Sequence, residues 1–129
     1  MSAAPAGLAE HVGGEWSSET DMAVLPRDTQ PPEWVSDVDM CEYDRDGSRG
    51  GWWRAPVECW SAPVAVEQFI VELDGKRTLS EPYIDIDVEQ FELSPKEARE
   101  LSRALVRAAK LLERATRETW ELLGAAGSA

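Results

Sequence analysis

Carboxylates are the side chains of this sequence best able to do chemistry, and they recur at alternate positions. In Glu42-Tyr43-Asp44-Arg45-Asp46-Gly47 the acidic groups precede a glycine in the manner of a calcium loop. The pattern then departs from one. Its first position is Glu, Arg45 adds a positive charge, and Trp53 stands where a bidentate glutamate would close the coordination shell. The segment therefore reads as a solvated acidic loop. Asp85 and Asp87 would lie about 7 Å apart on one face of an extended segment, a separation suited to paired acid–base work. The exposed side of a strand is the commoner source of such alternation. Cys41 and Cys59 are too few to close a structural zinc site and are expected as free, partly buried thiols. The single histidine, His11, falls in a Gly-rich stretch and offers no placed base for serine–histidine or cysteine–histidine catalysis. No catalytic residue, metal ligand or cofactor is assigned on these grounds.

Trp34, Trp52, Trp53 and Trp60 are dense enough in sequence to build a surface on which bases or sugars stack. Single-strand binders join such aromatics to a positive groove, and here the neighbourhood is acidic. The tryptophans are therefore expected in a core or a protein interface. The formal net charge of −12 is uneven: residues 95–123 hold seven Lys/Arg against five Asp/Glu, whereas residues 1–94 hold six against twenty. Such a body repels phosphate backbones, which argues against direct nucleic-acid binding but suits a basic partner.

The elements that must position these groups are encoded unequally. At 129 residues the chain fits one small domain. Residues 1–31, with prolines and no sustained period, are expected as a flexible tail, 32–123 as a single α+β domain, and 124–129 as a disordered C-terminal tail. Gly47, Gly50 and Gly51 suggest a loop between two aromatic-containing segments. In 68–74 the alternation places Phe69, Val71 and Leu73 on the apolar face, Asp74-Gly75 signals a tight turn, and Ile84, Ile86 and Val88 point inward along the next strand. A bulge is expected near Glu89-Gln90.

The final helix is the best-specified element. Ser94, Pro95 and Glu97 form a capping box with proline at the first helical position. Ala98, Leu101, Leu105, Ala108, Leu112, Ala115 and Thr119 form an apolar stripe, with Lys96, Arg99, Arg103, Arg107, Lys110, Arg114 and Arg117 on the opposite side. Gly124 is expected to end it. Leu111, Trp120 and Leu122 fall off the apolar stripe and are candidates for self-association.

An Asp-rich β region, a bend and then Phe91-Glu92-Leu93-Ser94-Pro95-Lys96-Glu97-Ala98-Arg99-Glu100-Leu101 resembles small proteins of unknown function in actinobacteria and their phages, which end in a strand and a Leu-Ser/Thr-Pro-x-Glu-Ala-x-x-Leu helix. The likeness covers roughly residues 31–116. Those relatives carry Pro-x-Trp-Cys and His-Ser-x-Pro segments suggestive of a metal site; here Val35 follows Trp34 and Trp60 precedes Ser61, so no metal carries over. The resemblance implies an actinobacterial or phage setting and an α+β fold, but no activity.

The resulting expectation is an antiparallel sheet packed on one long helix, in a cytoplasmic, non-catalytic protein that binds another protein or itself as a homodimer. Neither a signal peptide nor a membrane-spanning stretch is legible. The expected partner surface is Asp37, Asp39, Glu42, Asp44, Asp46, Trp52 and Trp53. An acidic inhibitor or nucleic-acid mimic is the alternative, and an enzyme using Asp85, Asp87 or the cysteines a weaker one.

Overall fold

The computed structural model describes residues 23–87 and 92–127. Six strands, β1 (Ala23–Pro26), β2 (Asp37–Met40), β3 (Arg49–Val57), β4 (Val64–Leu73), β5 (Lys76–Leu79) and β6 (Tyr83–Ile86), precede one helix, α1 (Pro95–Gly127). All strand pairs are antiparallel. The sheet order is β1-β5-β4-β3-β2, with β6 also paired to β4. This is the expected α+β architecture, with α1 packed against one side of the sheet.

β4 is the organising strand. One edge pairs with β3 from Arg49↔Glu72 to Val57↔Val64, while the other pairs with β5 and then β6. The Asp74-Gly75 turn between β4 and β5 has φ of 53° and 74°, the positive values that a type I′ hairpin requires and that the sequence signalled. Between the pairs Ile70↔Leu79 and Glu67↔Tyr83 the β5–β6 edge carries one extra residue, a bulge. Ser80 occupies it: its backbone N–H donates to the Phe69 carbonyl at 2.9 Å, its Oγ accepts from the Phe69 N–H, and its carbonyl accepts from Gln68 Nε2 at 2.9 Å. The bulge expected near Glu89-Gln90 lies outside the described residues.

The phase of β4 is opposite to the one its local pattern suggested. Val64, Val66, Gln68, Ile70 and Glu72 are buried along one phase; of the other phase only the small Ala65 is buried, Phe69 and Val71 are half-buried and Leu73 is 42% exposed. Sheet-wide register explains the reversal. The neighbours of Ile70 are Gly51 and Leu79, those of Val66 are Ala55 and Ile84, and Gln68 lies opposite Trp53. The face that gathers Trp53, Ala55, Leu79, Leu25 and Ala23 is the one that α1 covers, and two polar residues are carried inside with it.

Those two are satisfied by specific partners. Gln68 holds the bulge carbonyl and approaches Thr119 Oγ1 at 3.4 Å. Glu72, 1% exposed, accepts from Arg49 Nε at 2.8 Å and from Arg77 Nε and a terminal guanidinium nitrogen at 3.1 and 2.8 Å. Arg77 also stacks over Trp53 and donates to the Thr29 carbonyl. Burial pushes the Glu72 carboxyl up, but the hydrogen bonds and charges of the two arginines outweigh that and hold it below its ordinary value.

Three boundaries differ from the sequence reading. Ala23–Pro26, assigned to the tail, is an edge strand whose Leu25 is 1% exposed, because pairing with β5 drops that side chain into the core. Gly50 and Gly51 lie inside β3, not in a loop. Gly51 is required there because a Cβ would press on Met40 Sδ and the Asp39 carbonyl oxygen, and Gly50 leaves room for the Phe69 ring. The helix continues past Gly124 to Gly127, so it spans 33 residues, about 50 Å.

The helix start is as encoded: the Ser94 N–H donates to Glu97 Oε1 at 2.9 Å and the Glu97 N–H to Ser94 Oγ at 3.2 Å. Ala104, Ala108, Ala115 and Thr119 are buried, Leu101, Leu105 and Leu112 half-buried, and Ala98 exposed. The smallest side chains thus sit deepest, which lets the helix axis approach the sheet. Three contacts tie α1 down along its length. Ser61 Oγ donates to the Glu97 carbonyl and to Glu100, Arg107 donates to the Glu58 carbonyl, and the Trp34 N–H donates to Glu118.

Two outcomes follow. Ile70→Ala should cost about 2–5 kcal/mol and Leu73→Ala at most about 1, measured by urea denaturation; the reverse order would restore the phase read from β4 alone. Glu72→Gln should cost about 2–4 kcal/mol at neutral pH by leaving two arginines without their anion. Because the folded-state value of Glu72 is depressed, its stabilisation is full above the unfolded value of about 4.3 and is lost as pH falls through the folded value. The wild-type and variant midpoints should therefore converge as pH falls below the ordinary carboxylate range, and a gap unchanged from pH 7 would show that ion pairing is not its source.

Candidate interaction surface

Because α1 is the only described element outside the sheet and lies on the inner face, no described element covers the other side. Register fixes which residues line it. Trp52 pairs with Phe69 and Asp39, Val71 pairs with Gly50 and Thr78, Thr78 with Val24, Arg54 with Glu67 and Asp37, and Glu67 with Tyr83. An apolar band thus crosses the sheet from Val24 on β1, through Val71 and Phe69 on β4, to Trp52 on β3. The rings of Trp52 and Phe69 meet tilted, with centroids 5.6 Å apart, and Gly50 leaves the space that Phe69 fills. Val24 is 54% and Tyr83 36% exposed.

Charges frame this band. Arg54 donates to Glu67 Oε2 at 3.1 Å and reaches Asp37 at 3.5 Å, a ladder across three strands. The Tyr83 hydroxyl reaches Glu67 Oε1 at 3.4 Å, and burial pushes its phenol above the usual value. Asp39, Asp85 and Asp87 are exposed, with no ion pair among the described residues.

The expected partner residues are divided by the fold. Asp37, Asp39 and Trp52 share the outer face. Trp53 does not: adjacent strand residues point to opposite sides, and Trp53 is 1% exposed in the core. Its assignment to the surface is therefore corrected. Glu42, Asp44 and Asp46 are exposed in the β2–β3 hairpin, whose turn closes by the Gly47 N–H donating to the Asp44 carbonyl and the Asp44 N–H to the Ser48 carbonyl. The Ser48 hydroxyl and N–H both donate to Asp46 and hold its carboxyl below the usual range. Among the described residues no three Cys, Asp, Glu or His side chains gather as metal ligands.

Trp34 joins Trp53 in the core at 2% exposed, and Trp120, a self-association candidate, is buried at 3%, whereas Trp60 departs from the core reading: 86% exposed, it stands at an open cleft of about 550 Å³ lined by Ser61, Lys96, Glu97 and Glu100. Leu111 and Leu122 pack against the core of their own chain, which with the burial of Trp120 removes most of the apolar surface assigned to self-association. Cys41 is exposed and Cys59 half-buried, both free. His11 lies outside the described residues.

Local sequence reasoning missed Phe69, Val71, Leu73, Val24 and Tyr83 as surface residues. The signal was available only across strands. The opposite charges Arg49, Glu72 and Arg77 and the apolar set Trp53, Ile70 and Leu79 share one phase, which puts Phe69 on the other. Among the described residues no helix is long and apolar enough to cross a membrane. No family model matches this chain, and no curated protein or solved structure matches it either.

Proposed function

We propose that this chain is a non-catalytic interaction protein that takes a basic protein surface on the outer face of its sheet. The carrying observation is the band Val24–Val71–Phe69–Trp52 on the side that α1 leaves uncovered. Leaving such side chains in water forgoes about 1.5–3 kcal/mol for each that a partner would bury. The rim defines the partner's charge. Arginine or lysine stems lie well on aromatic rings while their heads reach carboxylates such as Asp37, Asp39 and Asp85. The hairpin carboxylates Glu42, Asp44 and Asp46 stand beyond the band and act mainly on approach, raising the association rate at low salt.

A synthetic arginine-rich amphipathic peptide titrated into labelled protein tests this. Amide resonances of Asp39, Trp52, Phe69 and Val71 should shift together. Trp52→Ala should weaken binding at least about tenfold while the protein stays folded by circular dichroism. Reversing Glu42, Asp44 and Asp46 to lysine should slow association more than it speeds dissociation. Shifts confined to the Trp60 cleft, or none at millimolar peptide, would overturn the reading.

A further inference from the structure

We infer that the basic surface fitting this sheet face is the back of α1 in a second copy of the same chain, so that copies stack head to tail. This identifies the partner of the proposed binding face and rests on that reading. The two faces lie on opposite sides of the same two-layer molecule and cannot meet within one chain.

The helix supplies unspent cations. Of its seven basic residues, Arg107 is held by the Glu58 carbonyl, Arg114 by Glu33 and Glu118, and Arg117 by Glu121. Lys96, Arg99, Arg103 and Lys110 are exposed, with no ion pair among the described residues. The sheet supplies matching anions, since Asp39 on β2, beside Trp52, and Asp85 on β6, beside Ala65, stand on the same outer face. They are separated by three strand steps and, through the pairs Asp39↔Trp52, Trp52↔Phe69 and Ala65↔Asp85, by four residues along β4. Standard strand spacings make that about 19 Å. Lys96 and Lys110 are about 21 Å apart along the helix. A helix laid diagonally across the sheet therefore brings a cation to each acidic end, with Arg99 over Trp52 and Arg103 over the Arg54–Glu67 pair between them.

Net charge opposes this at long range and local charge favours it at contact. Two copies of formal charge −12 repel, but about 0.1 M salt screens that repulsion beyond about 10 Å and spares pairs at contact distance. Association should therefore peak at moderate salt and fail at high salt. Each contact uses a sheet face of one copy and a helix face of another, leaving one of each open, so assembly continues past two.

Sedimentation velocity on the full chain tests this, alongside the peptide titration above. At several hundred micromolar and about 0.1 M salt, wild-type protein should show species larger than a dimer that grow with concentration and revert to monomer at 1 M salt. Two triple variants, Arg99→Glu/Arg103→Glu/Lys110→Glu and Asp39→Lys/Asp85→Lys/Asp87→Lys, should each be monomeric with wild-type circular dichroism. Mixed one to one they should assemble at least about tenfold more tightly than either alone, because each restores the other's complement. A wild-type monomer, an assembly that stops at two, or a mixture that stays monomeric would overturn the stacking. If the cationic peptide still shifts the sheet face, only the identity of the partner is lost; if it does not, the binding face is lost as well.

Discussion

β4 is hydrogen-bonded along both edges, to β3 on one side and to β5 and β6 on the other. Strand side chains alternate, so a slip of one residue would send every side chain of β4 to the opposite face. The observed phase places Gln68 and Glu72 under the helix and Phe69 and Val71 on the far side. Taken alone, the second half of β4 would be better served by the other choice. The sheet as a whole is not, because Trp53, Ala55, Leu79 and Leu25 are committed to the inner face by their own pairings. The polar cost is offset by two devices: the Ser80 bulge presents a carbonyl to Gln68, and Arg49 and Arg77 bracket Glu72.

One-sided layering follows from that phase. A single helix can cover one face of a six-stranded sheet, and α1 does so with alanines nearest the strands. Its fastening points come from loops that carry few other constraints, at Trp34, Glu58 and Ser61. The N-terminal capping box sets the entry direction and the Trp34–Glu118 contact sets where the far end lies, which holds a rod of about 50 Å in one orientation across the strands. The opposite face of the sheet is then defined by subtraction, and its aromatic band is the direct consequence of filling the inner face first.

Charge is divided along the same boundary. Cations are concentrated on the solvent side of α1, carboxylates on the open sheet face and its hairpin. Ion pairs satisfy the buried Glu72 and brace neighbouring strands at Asp37, Arg54 and Glu67, while Arg114 and Arg117 pair with Glu33, Glu118 and Glu121 along the second half of α1. A molecule with opposite charge on its two broad sides has directional contacts built into its fold, which is the basis for reading it as a binding element.

The sequence by itself determined the features whose physics is local. Ser94, Pro95 and Glu97 encode the helix start through hydrogen bonds three residues apart, Asp74-Gly75 encodes a turn through positive φ, and alternating three- and four-residue spacing separates the two sides of α1. It also indicated an α+β domain and free cysteines. What it could not supply was anything decided between strands. Phe69 and Ile70 are both apolar neighbours in a strand, and nothing within 68–74 says which is inside. Trp52 and Trp53 look like one aromatic patch in sequence, yet the pleat sends them to opposite faces. Leu25 belongs to the core only because β5 pairs beside it, and Gly51 reads as loop until Met40 is placed against it. In each case the deciding energy is the burial of side chains contributed by several strands at once, a sum that exists only after the register has been set.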